Sequence, residues 1–321
     1  MTRVVEPITA GCADALRDYL SGLPYLSVDW DTSRPHSQRV DLEMRALEAS
    51  LEDGDAWMTW SEGKIDGLIT LRALDWDSAH FGESMGIMDF CRAESEESAS
   101  VLLHQLGISA QRRGIKHLRH VVDVREAGLI HRLQSSGWRY IWACIRQVCD
   151  TSTVNHPPFS VSLPEVEVVE TTREHLPDLL SISEILPPYS WPDFDRSLGE
   201  AGRESYARTR LKNCVETDFA DLCLTLTHRG KAIGFNASKI QYQPTSVPGP
   251  VAYSVERDLF ISPETIPGLG PVFQKEVVRR LSEKVRFLIG QVRLDGTSMA
   301  HTVQAAGFRS WGGSLYMALR P

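Results

Sequence analysis

Gly268 and Gly270 offer the most specific chemistry in this sequence. They close the run Ser262–Gly270 (SPETIPGLG), and Pro271 follows at what reads as a first helical position, where its missing N–H costs little. Beyond it Phe273, Val277, Leu281 and Val285 recur at i+4 and predict one apolar helix face, with Lys275, Arg279, Arg280 and Lys284 elsewhere on its surface. Glycine lets a backbone approach a phosphate closely, and a helix start supplies N–H donors and positive potential. A pyrophosphate fits such a place, with basic side chains near for a further phosphate; an ordinary tight turn is the competing explanation. Upstream, Glu256 and Asp258 alternate with Arg257 and Leu259, so on a strand both carboxylates face one side. They suit proton transfer, or else are surface carboxylates paired with Arg257. His301 is able to titrate near neutral pH. In the Pro- and aromatic-rich loop 186–195 (LPPYSWPDFD), Tyr189, Trp191 and Asp193 either contact a ligand or clamp the loop.

The elements that must hold these residues come in two copies. Residues 129–139 (LIHRLQSSGWR) and 299–309 (MAHTVQAAGFR) share His, Gln, Gly, an aromatic and Arg at one spacing, 170 positions apart. Because His131 matches His301, a shared structural role for this histidine competes with a catalytic one. A looser echo pairs Lys64-Ile-Asp-Gly-Leu with Lys231-Ala-Ile-Gly-Phe. A repeat this long is a duplicated domain, since solenoid units have periods of about 20–50 residues. Each half predicts an opening strand, a helix, a hairpin turning at Glu62-Gly63 or Arg229-Gly230, then strand, helix, strand, helix and a last strand that starts at Gly-aromatic-Arg. The fold class is α/β: two tandem domains, each a mixed, partly antiparallel sheet flanked by helices. Ser, Thr and Pro in 151–165 make that segment the linker between domains 1–150 and 166–321.

Composition narrows the function classes. The 321 residues are 42% hydrophobic and 24% charged, as in soluble globular proteins. No apolar run approaches the roughly 18 residues of a membrane span, and the charged N-terminus is unlike a secretory signal, so the expected place is the cytoplasm. Residues 1–150 carry 16 basic and 23 acidic side chains within a chain of net charge −8, which argues against nucleic acid as a partner. Six cysteines show no C-x-x-C pair and no metal-ligand spacing; they read as thiols in a reducing compartment, with no metal site.

The order strand, Gly-containing loop, helix, strand, helix, Gly-aromatic resembles the GNAT superfamily of N-acetyltransferases, and Val255–Gly270 (VERDLFISPETIPGLG) is similar to its acetyl-CoA motif. The family loop, [RQ]-x-x-G-x-[GA], is met here by Thr265-Ile-Pro-Gly-Leu-Gly, which departs at its first position, and Pro267 removes one amide donor. The resemblance implies acetyl-CoA or another acyl-CoA as co-substrate. It implies contacts from Ile266, Gly268, Leu269, Gly270, Lys275 and Arg279, and backbone donors from Phe260 and Ile261 toward the thioester carbonyl and pantetheine. It implies Glu256 first, then Asp258, as general base, and an acceptor cleft bordered by Tyr189, Trp191 and Asp193. The first half has Cys91-Arg-Ala-Glu-Ser-Glu-Glu-Ser in place of the loop and is expected to bind no CoA.

More narrowly, Leu74–Gly82 (LDWDSAHFG) and Tyr206–Asn213 (YARTRLKN) resemble the W-[DE]-[SN]-x-[FH]-F-G and F-Y-x-x-W-[IL]-x-N segments of dTDP-fucosamine acetyltransferase-type enzymes. Those enzymes use a Tyr as proton donor where this chain has Val303; His301 lies nearby. The expected activity is acyl transfer from a pantetheine thioester to a primary amine of a small molecule, such as an amino sugar or a natural-product intermediate. An acyl carrier protein as donor, and a non-catalytic GNAT-like binding protein, stay open as alternatives.

Overall fold

The structure is a computed structural model that describes residues 3–52, 54–154, 165–242 and 252–321. The chain divides into two compact units, residues 1–143 with 313–321 and residues 144–312.

The first unit contains β1 (Val4–Pro7), α1 (Ala13–Gly22), α2 (His36–Glu52), β2 (Gly54–Ser61), β3 (Lys64–Ala73), α3 (Asp75–Phe81), β4 (Met85–Met88), β5 (Cys91–Ala93), α4 (Glu96–Arg112), β6 (His117–Asp123), α5 (Ala127–Ser135) and the start of β7 (Arg139–Asp150). Its strands run β1-β2-β3-β4-β6, antiparallel except for the parallel pair β4–β6, and residues 314–319 pair antiparallel with β6. Leu102 and Leu106 of α4 pack on one face of the sheet with Ile69, Leu71 and Leu118; Leu16, Leu20 and Leu47 pack on the other with Met58 and Leu68.

The second unit repeats this plan. It contains β8 (Val166–Glu170), α6 (Leu176–Ile185), α7 (Trp191–Phe194), α8 (Glu200–Glu216), β9 (Leu222–His228), β10 (Lys231–Tyr242), β11 (Ala252–Ile261), α9 (Leu269–Ser282), β12 (Phe287–Arg293), α10 (Thr297–Ala305) and the start of β13 (Arg309–Leu319). The strand order is β8-β9-β10-β11-β12, parallel only between β11 and β12, and residues 144–150 of β7 pair antiparallel with β12. Phe273, Val277 and Leu281 of α9 lie buried with Leu224, Leu226 and Val292 on one face. Leu179, Leu211, Phe235, Ala237 and Phe260 make the other core, beneath α6 and α8.

The expected mixed α/β architecture is present in both units. The hairpin turns have positive φ at both central residues (Glu62 53°, Gly63 78°; Arg229 54°, Gly230 74°), the geometry that matches strand twist. The repeated His-x-x-Gln-x-x-Gly-aromatic stretch has a structural reading. Gly137 (φ 87°) and Gly307 (φ 95°) adopt the left-handed conformation that ends α5 and α10, and Trp138 and Phe308 then enter the cores. His131 and His301 both lie exposed on these helices.

The structure differs from the expected boundaries in the last strand of each copy. Residues 144–150 bond to β12 and residues 314–319 to β6, so 1–150 and 166–321 do not coincide with the compact units. A repeat locates the copies of an element, but strand partners are long-range choices that spacing does not reveal. The expected linker 151–165 opens with a 3-10 turn at Thr151–Thr153, and residues 155–164 of it lie outside the described residues.

Candidate active site

The parallel pairing of β11 with β12 covers only Tyr253–Val255 and Phe287–Ile289. Beyond it β11 continues to Ile261 and β12 to Arg293, with no further pairing between them among the described residues. One side of β11 is therefore open at its C-terminal half. Within this half the register passes from Ser238↔Glu256 to Ala237↔Asp258, so Arg257 is an extra residue, a β-bulge.

The bulge interrupts the alternation on which the expectation that Glu256 and Asp258 share a face rests. Asp258 lies opposite Ala237 and is buried on the α6/α8 side of the sheet. Glu256 sits in β11 opposite Ser238, and its side chain lies outside the described residues. Backbone alternation also separates the two expected amide donors. The Ser262 N–H donates to the Ile233 carbonyl at 2.8 Å, so the Phe260 N–H turns toward β10 and the Ile261 N–H toward the open side. Of that pair, Ile261 alone is placed to serve a ligand.

The loop after β11 delivers the start of α9 to the same opening. Gly268, at φ 90°, is the N-cap, and no side chain caps the helix. Pro271 falls third in α9 rather than first and brings no N–H, and the Leu269 N–H faces the Ile266 carbonyl at 3.5 Å, so the uncapped first turn offers an anion chiefly the Gly270 N–H. Ile266, on the loop, is partly exposed, whereas Leu269 is buried. Gly270 has a reason besides phosphate approach: a Cβ there would lie 3.0 Å from Thr302 Oγ1 and 3.3 Å from Ile261 Cδ1, so it lets α9 close on α10 and β11. Lys275 is exposed. Arg279 stands in the last turn, roughly 14 Å along the axis from Gly270 at 1.5 Å per residue. There its Nε and Nη2 each donate to Glu276 at 2.7 Å, which leaves it poorly placed for a phosphate at the other end.

The loop 186–195 separates its three candidates. Asp193 Oδ2 accepts from the N–H groups of Tyr189 (3.0 Å) and Ser190 (2.9 Å) and from Ser190 Oγ (3.0 Å), so it caps α7. Trp191 is buried edge-on to Tyr206, with centroids 6.1 Å apart. Both clamp the loop. Tyr189 points inward, its ring 6.4 Å from that of Phe260 and its hydroxyl shielded from solvent, without a hydrogen-bond partner among the described residues. Arg293, the last residue of β12, donates to the Pro188 carbonyl and lies over Phe194 at 4.8 Å. The loop thus reaches from the end of β11 to the end of β12, over the opening.

Sequence reasoning missed Arg210. This α8 residue holds its guanidinium within the electrostatic reach of Asp258, Tyr189 and Tyr206. Burial raises the Asp258 carboxyl above its ordinary range, and Arg210 pulls part of that back. Tyr189 is likewise raised, by burial first and then by Asp258. Burial also pushes the neighbouring Cys223 thiol up to about 12. A signal was present, since Arg210 holds the Trp position of the F-Y-x-x-W-[IL]-x-N motif that Tyr206–Asn213 resembles, while Ala207 stands at its Tyr. His301 lies on the exposed face of α10, whereas Val303, where the resembling enzymes carry their acid, is 1% exposed in the core and has no proton to give.

In the first unit, the corresponding helix α4 is capped by its own Ser95, whose Oγ accepts from the Ser98 N–H at 3.1 Å, and begins with Glu96 and Glu97. Arg92 takes the register position of Phe260 and pairs with Glu126 at 3.1 Å. Among the described residues no cluster of His, Cys, Asp and Glu suits a metal ion, and no helix is long and apolar enough to cross a membrane.

The chain has the fold of the tandem GNAT proteins. It is similar to a tandem GNAT protein from the clavulanic acid biosynthesis pathway, at TM-score 0.56 and 15% identity over 99% of this chain and 98% of that one. It is also similar to a GCN5-related N-acetyltransferase from Sphaerobacter thermophilus, at TM-score 0.59 and 12% identity over 99% of this chain and 96% of that one. At such identities the likeness is one of fold. No protein-family model matches the chain, and no curated protein matches it in sequence.

Proposed function

We propose that the protein is an N-acyltransferase that moves an acyl group from acyl-CoA to the primary amine of a small molecule, with its site in the second unit. The observation that carries this reading is the opening between β11 and β12, with a bulge and a free-facing Ile261 N–H on one wall and the uncapped start of α9 beside it. The pyrophosphate takes the α9 N-terminus and the pantetheine arm runs into the opening. Ile261 N–H holds the thioester oxygen as charge develops on it. The amine nitrogen attacks the carbonyl carbon, its proton passes to Asp258, and the C–S bond breaks to leave CoA thiolate, which takes its proton from water. The first unit, capped and acidic where the second is open, binds no CoA. A carrier-protein thioester is the second reading: it presents the same arm with fewer nucleotide contacts, as suits a helix whose Arg279 is already held by Glu276.

Calorimetry with CoA and acetyl-CoA tests this, beside Ile266→Glu, which sets a carboxylate on the exposed loop next to α9. Binding to the protein that weakens by about tenfold or more in the variant, at unchanged Tm, is the expected result, since a like charge costs about what a charged hydrogen bond contributes. No binding of either ligand removes free CoA as donor and leaves the carrier-protein thioester.

A further inference from the structure

Three polar side chains from three elements converge on the α6/α8 face of β11 with atoms left over. Asp258 Oδ2, Arg210 Nε and Tyr189 OH are shut off from solvent and have no hydrogen-bond partner among the described residues. Asp258 itself is 7% exposed. Asp258 and Arg210 feel one another's charge, with no hydrogen bond joining them among the described residues. Buried polar atoms in native proteins are nearly all satisfied by protein or ordered water, and three that meet at one place, a cation and an anion among them, are able to share one polar ligand. The neighbouring loop carboxylate is held by the α7 cap, where Asp193 Oδ2 accepts from Ser190 N–H and Oγ.

The three groups define what would satisfy them. A guanidinium donates in a planar fork that matches a carboxylate, and a carboxylate accepts from an amine or ammonium. The cluster holds one cation and one anion, so a ligand carrying one of each is matched in charge. A phosphorylated or nucleotide-linked acceptor would bring more negative charge than the single Arg210 offsets, against Asp258 and with Asp193 also near. Phe260, in ring contact with both Phe235 and Tyr189, supplies with them an apolar wall beside the charges.

We propose that Arg210, Asp258 and Tyr189 form the acceptor subsite, and that the acceptor is an amino acid: a small molecule with a free carboxylate held by Arg210 and its amine presented to Asp258. This rests on the acyltransferase reading for its chemistry and on the three orphaned groups for its substrate class. The reaction is then amino acid plus acyl-CoA giving N-acyl amino acid and CoA. The N–C bond forms as the C–S bond breaks, and the amine proton moves to Asp258 and from there to solvent.

The test is a panel of the standard L-amino acids, β-alanine and γ-aminobutyrate, set against their methyl esters and matched alkylamines. Each is titrated into the protein by calorimetry with and without CoA, and each is assayed with acetyl-CoA. Expected is a preference of about tenfold or more in kcat/KM for at least one acid over its ester, the worth of a charged hydrogen bond. In Arg210→Gln the ratio falls toward one, carried by KM, and Arg210→Lys restores part of it. Equal use of acids, esters and alkylamines by the wild type overturns the proposal. So does a protein that binds CoA yet neither binds nor acylates any acid, and in that case acyl transfer stands. A protein that binds an acid but no CoA keeps the subsite and loses acyl transfer. Binding of neither sinks both. A variant that lowers acids and esters alike gives Arg210 a structural role only and overturns its part.

Discussion

Arg293 at the end of β12 donates its Nη1 hydrogen to the backbone carbonyl of Pro188, and so fixes the loop that carries Tyr189. The same guanidinium lies over the Phe194 ring and pairs with Asp295, which makes it the hinge pin of the loop rather than a free surface cation. Removing it in Arg293→Ala should loosen residues 188–195 while the sheet stays intact. Hydrogen exchange of these amides should speed up, and kcat/KM for the acceptor should fall by about tenfold, the worth of one charged hydrogen bond. Unchanged exchange in this loop would show that the capping box of Ser190 and Asp193 holds it unaided.

Gly270 offers a sharper choice, because two reasons for a glycine compete there. If packing decides, Gly270→Ala presses a methyl into Thr302 and Ile261 and destabilises the protein by about 1–3 kcal/mol. Thr302→Ala in the same chain then makes room and restores most of the loss. If close approach of a phosphate decides, the single variant keeps its stability and loses CoA binding, and the second change rescues nothing. Thermal unfolding and CoA calorimetry on the single and double variants separate the two.

The general plan was legible because its signals are local. Positive-φ turns at Glu62-Gly63 and Arg229-Gly230, and the apolar row Phe273, Val277, Leu281, Val285, need only neighbours in sequence. Helix α8 was less visible, since only Tyr206, Leu211 and Cys214 of its 17 residues are buried and its apolar stripe is thin. The bulge at Arg257 was not visible at all. It depends on how β11 registers with β10, and it undoes the period-two argument that joined Glu256 to Asp258. Arg210 and Asp258 are 48 positions apart in sequence, so their meeting belongs to the packing of α8 on the sheet.

Glu276 ties stability to pH on the helix that opens the site. Its carboxylate accepts from Arg279 at 2.7 Å and from Arg280 at 2.8 Å, and although burial pushes the other way these bonds hold its pKa below the ordinary glutamate range. A depressed carboxyl contributes stability that is present above its unfolded pKa and is lost as pH falls through the lower, folded one. Glu276→Gln should therefore cost about 1–3 kcal/mol at pH 7. In urea titrations the difference should shrink below about pH 4 as the unfolded and then the folded carboxyl protonates. A difference that is constant down to strongly acid pH would show that shape, not charge, sets the cost.

Asp258 should move the opposite way, and it links stability to rate. Burial raises its pKa despite Arg210, so the folded protein holds this proton to higher pH than the unfolded chain does. As pH rises from about 4 through the raised value, folding stability from this group falls, and the penalty is complete above it. The same ionisation makes the base competent. The kcat/KM for the acceptor should therefore rise with pH through a midpoint above the ordinary aspartate range, independently of any limb set by the amine. In Asp258→Asn that limb should vanish and kcat should drop by about 10²–10⁴, the usual worth of a positioned base. The Asn side chain stands in for the protonated carboxyl, so the variant should escape the penalty that the ionised wild type bears, and its stability relative to the wild type should rise with pH through the raised value. An Asp258→Asn enzyme that keeps the acid limb of the profile would move the proton acceptor elsewhere, with Glu256 the next carboxylate to change.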